Sequence, residues 1–171
     1  MNAGVDGFNR WSFTNRGDLD GQWQLVRTFD TNSWQYFKRV EPEPVPYFSY
    51  GILTRFLAKH SSILQSQCDA PDLITSAARS PQGNLSIFVL NKSQANQPVT
   101  LTFANLTRQT TLYKYQVTQS SVEKPGFEMN PLDTIETSSA KPALTDRLPP
   151  MSITVYSTYK LMHSDPGITA D

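Results

Sequence analysis

Asp18 and Asp20 stand two residues apart in Asn15-Arg-Gly-Asp-Leu-Asp-Gly21, a stretch built from turn formers. Two carboxylates so close on a loop can accept from a ligand hydroxyl or hold a cation. The competing use is local, because aspartate side chains also accept from their own backbone in Asx turns. Just upstream lie Asn9, Arg10 and Trp11. In an extended segment Gly7, Asn9, Trp11 and Phe13 share one face and Arg10 the other. The glutamates Glu41, Glu43, Glu123, Glu128 and Glu136 fall in proline-rich or loop contexts, where solvated charge is the ordinary reading.

Other chemistry is thin. No glycine-rich loop suits a phosphate, and no Cys/His spacing suits a metal, so no cofactor is expected. The two histidines, His60 and His163, are far apart in the chain, and no nucleophile triad is nominated. Cys68 is the sole cysteine and cannot form an internal bridge. Three Asn-x-Ser/Thr acceptor sites occur, at Asn84, Asn91 and Asn105. They become glycans only on a secretory route and at a surface. Fifteen basic and fifteen acidic residues cancel. That balance argues against nucleic acid and anionic membrane as partners, since both select a basic excess. No apolar run reaches the roughly 18 residues of a membrane span. The first residues lack a cationic start followed by an apolar core, so no signal peptide is visible; the compartment stays open.

The elements that must position these residues follow from periodicity. Residues 5–13 are apolar and aromatic without alternation, as in a strand buried on both faces. Residues 23–29 form a second apolar stretch, and residues 31–36 read as an exposed turn. Pro42, Pro44 and Pro46 forbid helix interior and favour an extended lead-in. Apolar residues then recur at three- and four-residue steps over 47–64, predicting a helix of four to five turns. Pro46 suits its first turn, Glu41 and Glu43 precede its positive end, and Lys59 and His60 sit near its negative end.

Residues 65–71 read as a linker. Strands are expected over 73–78 and 85–90, joined by Ser80-Pro-Gln-Gly-Asn84 as a hairpin. Further strands are expected over 99–103 and 110–118. Residues 119–147 read as a long excursion with one short strand. Residues 148–159 make a proline-led closing strand, with Ile153 and Val155 alternating against Thr154 and Tyr156. A chain of 171 residues is long enough to bury a core without disulfides. The expected fold class is mainly β: an antiparallel β-sandwich on the C-terminal side, preceded by a strand–loop–helix unit. The expected division is a segment 1–66, a sandwich 72–161 and a loose tail 162–171.

The order of these pieces resembles the C-terminal region of retaining glycoside hydrolases of the TIM-barrel clan that carry an attached β-sandwich. "VDGFNRWSF" looks like an eighth barrel strand and "NRGDLDGQWQLV" like the loop after it. "EPEPVPYFSYGILTRFLAKHSSIL" is similar to the proline-led last barrel helix. "ITSAARSPQGNLSIFVLNKS" looks like the first sandwich hairpin, and "LPPMSITVYST" like the closing strand. No one of the five is specific; their order carries the resemblance, which spans residues 5–160.

The resemblance implies that the catalytic acid/base and nucleophile glutamates belong to the fourth and seventh barrel strands, upstream of Met1. Retaining hydrolysis needs two carboxyl groups about 5–5.5 Å apart. No catalytic residue is therefore assigned, and the chain is expected to be a fragment or shortened form, inactive alone. Trp11 would sit at a strand's C-terminal end, where barrel active sites lie. Its flat ring suits the C–H face of a pyranose, with core packing as the alternative. Asn9, Asp18 and Asp20 complete the implied sugar-binding set. Trp23 and Trp34 are expected to pack or to anchor loops. The implied partners are carbohydrate or the remainder of a glycosidase barrel. Unpaired strand edges also give the N-terminal segment a route to self-association. The parent enzyme would be secreted. The alternative is a stand-alone β-sandwich that binds carbohydrate or serves as an extracellular interaction module.

Overall fold

The structure is a computed structural model and describes residues 13, 24–30, 33–104 and 108–162. Three prolines in five residues set the start of the one long helix among the described residues. Glu43 is extended at the N-cap, and α1 (Pro44–Phe56) begins on Pro44, with Pro46 still in the first turn. Neither ring blocks a needed donor there, because the first N–H groups of a helix have no intrahelical partner. Arg55 lies in the last turn, where a cation is favoured.

The helix stops at Phe56, well short of the expected residue 64. Leu57 is extended, and His60 takes a left-handed backbone (φ 62°) that no helix can continue. Ser62 to Leu64 then form a strand, β3 (Ser62–Leu64). The apolar three-to-four spacing carried on past the helix because Ile63 and Leu64 serve a sheet instead.

Ahead of the helix, β1 (Val26–Asp30) and β2 (Gln35–Pro42) form an antiparallel hairpin. Tyr36, expected in a turn, is paired with Phe29. The hairpin base is tied to the helix start. The Glu43 N–H donates to the Leu25 carbonyl at 2.8 Å, and the Arg27 guanidinium lies 3.4 Å from Glu43 and 5.7 Å over the Phe37 ring.

The main sheet is antiparallel and six-stranded: β3, β4 (Leu73–Arg79), β5 (Leu85–Asn91), β10 (Ser152–Ser157), β7 (Thr110–Thr118) and β8 (Asp133–Thr137), in that order. A second, two-stranded sheet pairs β6 (Gln97–Thr102) with β9 (Ala143–Leu148). The mainly β antiparallel sandwich expected from sequence is present. The hairpin β4–β5 turns through Ser80 to Asn84, where the Ser80 N–H donates to the Asn84 carbonyl and Gly83 supplies the positive φ of 87°. Residues 119–147 hold more than the one short strand expected. They contain a helical turn, α2 (Gln119–Val122), and both β8 and β9. Their alternation is hidden because β8 lies at the rim of the main sheet and presents exposed polar residues.

Alternate residues of the main sheet enter two different cores. On one side Ala78, Phe88, Tyr115, Val117 and Val155 pack with Ile52 and Phe56 of α1. On the other, Ala77, Ile87, Val89, Leu112 and Tyr156 pack with Val99, Leu144 and Leu148 of the β6–β9 sheet. The protein is therefore layered as helix, six-stranded sheet and two-stranded sheet. Strand β10 lies at the centre, so Thr154 and Tyr156, expected on a polar face, are as buried as Val155. Helix α1 and β3 precede the residue 65–71 connection yet pack on or pair with the sheet, so a shared core joins the helix-bearing segment to the sandwich.

Polar side chains on the buried central strand find hydrogen-bond partners, as burial requires. The Ser86 and Ser157 hydroxyls lie 2.9 Å apart, and the Ser152 hydroxyl donates to the Pro149 carbonyl. Among the described residues, no helix is long and apolar enough to cross a membrane.

Candidate functional site

Asn9, Trp11, Asp18 and Asp20, the residues implied to bind sugar, lie outside the described residues, as does the acceptor Asn105. What the structure describes instead is a set of polar and aromatic constellations, of which three bear on function.

The first is the hairpin tip. Trp34 is 70% exposed and Tyr36 73% exposed. Both lean on Phe29, with ring centroids at 6.1 and 5.0 Å and planes near perpendicular, at 81° and 78°. The expectation that Trp34 packs or anchors a loop is corrected in part: among the described residues its ring meets the Phe29 ring, and most of its surface is exposed. Its backbone is left-handed (φ 56°), an uncommon state for a bulky residue. The Ser33 hydroxyl donates to the Asp30 carboxylate at 2.7 Å, bracing the tip. Trp34 belongs to the turn and Tyr36 to β2, so no strand period links the two rings.

The second constellation lies between the sheets. Lys114 of β7, Asp146 of β9 and Tyr156 of β10 converge. The Lys114 ammonium sits 2.6 Å from one Asp146 carboxylate oxygen, and the Tyr156 hydroxyl donates to the same oxygen at 2.5 Å. Desolvation pushes the Asp146 carboxyl upward. Hydrogen bonds from Lys114, Tyr156 and the Arg147 N–H, with the lysine's charge, outweigh it and hold the group below the ordinary carboxylate value. Burial, then the carboxylate beside it, push the Tyr156 phenol up. An acid, a base and a phenol together invite a catalytic reading. All three are committed to one another across the sandwich, so the group acts as a cross-link. No sequence signal joins positions 114, 146 and 156; strand pairing sets Lys114 beside Tyr156, and the packing of the two sheets brings Asp146 to both.

The third is Asn91, expected as a glycan acceptor. It is fully buried at the end of β5. Its amide nitrogen donates to the carbonyls of Ala95, Leu148 and Pro149, and its oxygen accepts from the Ser93 N–H and hydroxyl. An amide so engaged has no room for a sugar; Asn91 fastens the β5 exit to the start of the closing strand. Asn91→Asp is expected to lower stability by about 3 kcal/mol, because a carboxylate would then face three carbonyls. A shift in urea midpoint of that size is the check. Asn84 is half-buried in the Ser80–Asn84 turn, with its backbone bonded to Ser80.

Three other carboxylates are locally occupied. Glu41 and Glu43 both face Arg27. Glu136 accepts from Thr111 and Gln109, and these two hydrogen bonds lower its pKa. Among the described residues, no group of three or more His, Cys, Asp or Glu converges as a metal site would need.

No family model and no curated protein sequence matches the chain. Solved structures do. The catalytic domain of the glycoside hydrolase family 30 xylanase C from Talaromyces cellulolyticus aligns at a TM-score of 0.56 and 10% identity, covering 78% of this chain and 27% of that one. A family 30 subfamily 8 xylanase from Clostridium acetobutylicum aligns at 0.54 and 14% identity, covering 80% of this chain and 30% of its own. A bifunctional glucanase-xylanase from a metagenome library gives 0.51 at 22% identity, covering 68% and 22%. The chain thus spans less than a third of each of these proteins. Its fold is similar to a region of glycoside hydrolases, in line with the expected class.

Proposed function

We propose that this chain is the C-terminal, sandwich-bearing region of a carbohydrate-cleaving enzyme and does not catalyse alone. In this division residues 1–66 are the end of a barrel, with β3 reaching from it into the sandwich sheet, residues 72–161 are the sandwich and 162–171 the tail. The observation that carries this reading is the extent of the structural match. An alignment over 80% of this chain lies on only 30% of the Clostridium xylanase. Residues 72–161 make up little more than half of the sequence, so the likeness takes in residues outside the sandwich as well. The packing of α1 against the main sheet supports the same view, because it gives the sandwich a firm attachment to the segment that would join a barrel.

In this role the sandwich supports a barrel that supplies the two catalytic carboxyls. Asn9, Trp11, Asp18 and Asp20 would meet sugar at its mouth. Without that barrel the unpaired strand edges of the N-terminal segment are a route to self-association. Asn84 and Asn105 remain the acceptors for glycans if the enzyme is secreted. The natural substrate class is a polysaccharide of the xylan or glucan type, after the xylanase and glucanase names of the structural neighbours.

The purified chain is expected to release no reducing sugar from xylan or β-glucan, and no chromophore from aryl glycosides, above the heat-treated control. Turnover that scales with the concentration of chain and disappears on heating would overturn the proposal.

A further inference from the structure

A two-stranded hairpin is marginally stable unless something packs against it. In β2 seven of eight residues are exposed, yet the hairpin carries three aromatic rings at its far end. Single exposed apolar residues are ordinary. Here two of the largest side chains stand together in solvent, around a third, on a strained backbone, and such strain concentrates at ligand clamps.

The ring geometry says what they can hold. A stacked cluster would cover its own faces. Phe29 instead meets Trp34 and Tyr36 near perpendicular, and with roughly seven-tenths of each outer residue exposed, flat ring surface stays open on both. The centroid distances to Phe29 are 6.1 and 5.0 Å, and their sum, 11.1 Å, is the most that can separate the two outer rings. Two flat apolar faces within that reach suit a ligand that repeats a flat apolar face. A pyranose chain with equatorial hydroxyls does so, offering C–H faces to the rings and hydroxyls at the edges. Ser33 and Gln35 beside the rings are exposed polar partners for those edges. Tyr and Trp lose little conformational freedom on binding, and the Arg27–Glu43 contact fixes the hairpin base against the helix start.

From this arrangement we propose that Trp34 and Tyr36, wedged by Phe29, form a stacking platform for a neutral polysaccharide chain. The platform is separate from the Trp11 set and rests on the carbohydrate reading above. The ligand touches rings and hydroxyls only, so binding is insensitive to salt, and it needs no catalytic carboxylate.

Affinity electrophoresis of the full chain in gels containing soluble xylan or β-glucan, together with calorimetric titration of xylohexaose and cellohexaose, tests this. At least one glycan is expected to retard and bind the native chain. Trp34→Ala and Tyr36→Ala should each weaken binding about tenfold or more, with an unchanged melting temperature showing that the fold is intact. Trp34→Phe should restore part of the loss, which a purely structural role would not require. Loss in Trp11→Ala with full binding in Trp34→Ala would overturn the proposal, as would no binding to any glycan. Concentration-dependent dimerisation abolished by Trp34→Ala, without glycan binding, would show a second copy of the chain as the occupant and equally overturn it. Absence of glycan binding leaves the supporting role of the sandwich standing. Turnover by the chain would sink that role without touching the platform.

Discussion

Phe56→Ala is expected to lower stability by about 3–5 kcal/mol, the range for a fully buried phenylalanine cut to alanine. Phe56 is 1% exposed and lies 4.5 Å, ring to ring, from Tyr115 at the centre of the main sheet. Its ring fills the space between α1 and the Ala78, Phe88, Val117 and Val155 face. No neighbour can collapse into the gap, because the sheet below is hydrogen-bonded on both sides of β10. The same ring backs Tyr115, whose hydroxyl accepts from the Leu161 N–H at 2.7 Å. Loss of Phe56 should therefore loosen both the helix and the chain after the closing strand. Hydrogen exchange should quicken across residues 50–57 and near Leu161, while the β6–β9 side of the sandwich keeps its protection. Val45→Ala, at an exposed position of the same helix, should change stability by under about 0.5 kcal/mol. Equal effects at the two positions would mean that the helix is not held by this core.

Asp146→Ala should cost about 3 kcal/mol. It strands a partly buried ammonium at Lys114 and leaves a fully buried phenol at Tyr156 without its acceptor. Asp146→Asn, which keeps an acceptor for the phenol, should cost less. The pH dependence separates this group from simple packing. The folded carboxyl titrates lower than an unfolded aspartate, so its stabilisation is present above about pH 4 and is lost as pH falls through the depressed folded value. The Tyr156 phenol titrates higher than an unfolded tyrosine. Its contribution is intact below about pH 10 and declines as pH rises beyond that. Urea midpoints measured from acid to alkaline pH should show both limbs in the native protein. The acid limb should shrink in Asp146→Asn and the alkaline limb in Tyr156→Phe. Parallel curves for all three proteins would show that the cross-link does not bear load.

How much could be read in advance depended on which interactions fixed each element. The β4–β5 hairpin was legible because Gly83 and the turn around it are local, and because strand and turn signals agreed. Strand β7 was legible over its full length from alternation at Tyr113, Tyr115 and Val117, with Leu112 on the other face. The start of α1 was legible because proline geometry is a property of the residue. Its end was not, since Ile63 and Leu64 keep helical spacing while pairing with Ala78 and Ala77 across the sheet.

The sugar-binding set read from Asn9 to Asp20 lies outside the described residues, and the aromatic tip that the structure does describe was read as a turn. Trp34 is expected to pack or anchor a loop because aromatic character favours burial, while Tyr36 falls in the expected exposed turn. Their exposure depends on the hairpin's distance from both cores, which no local pattern encodes.

Sequence alone determined that the chain is mainly β, where its first sandwich hairpin turns, where its helix begins and that a proline-led strand closes the order. These follow from backbone dihedrals and side-chain period, which act within a few residues. Tertiary structure decided that β10 is buried on both faces, that Asn91 is a fastening and no glycan site, and that Lys114, Asp146 and Tyr156 meet on one oxygen. It also left Trp34 and Tyr36 in solvent. Each of these turns on which strands become neighbours, and the free energy that selects those neighbours comes from surfaces far apart in the chain.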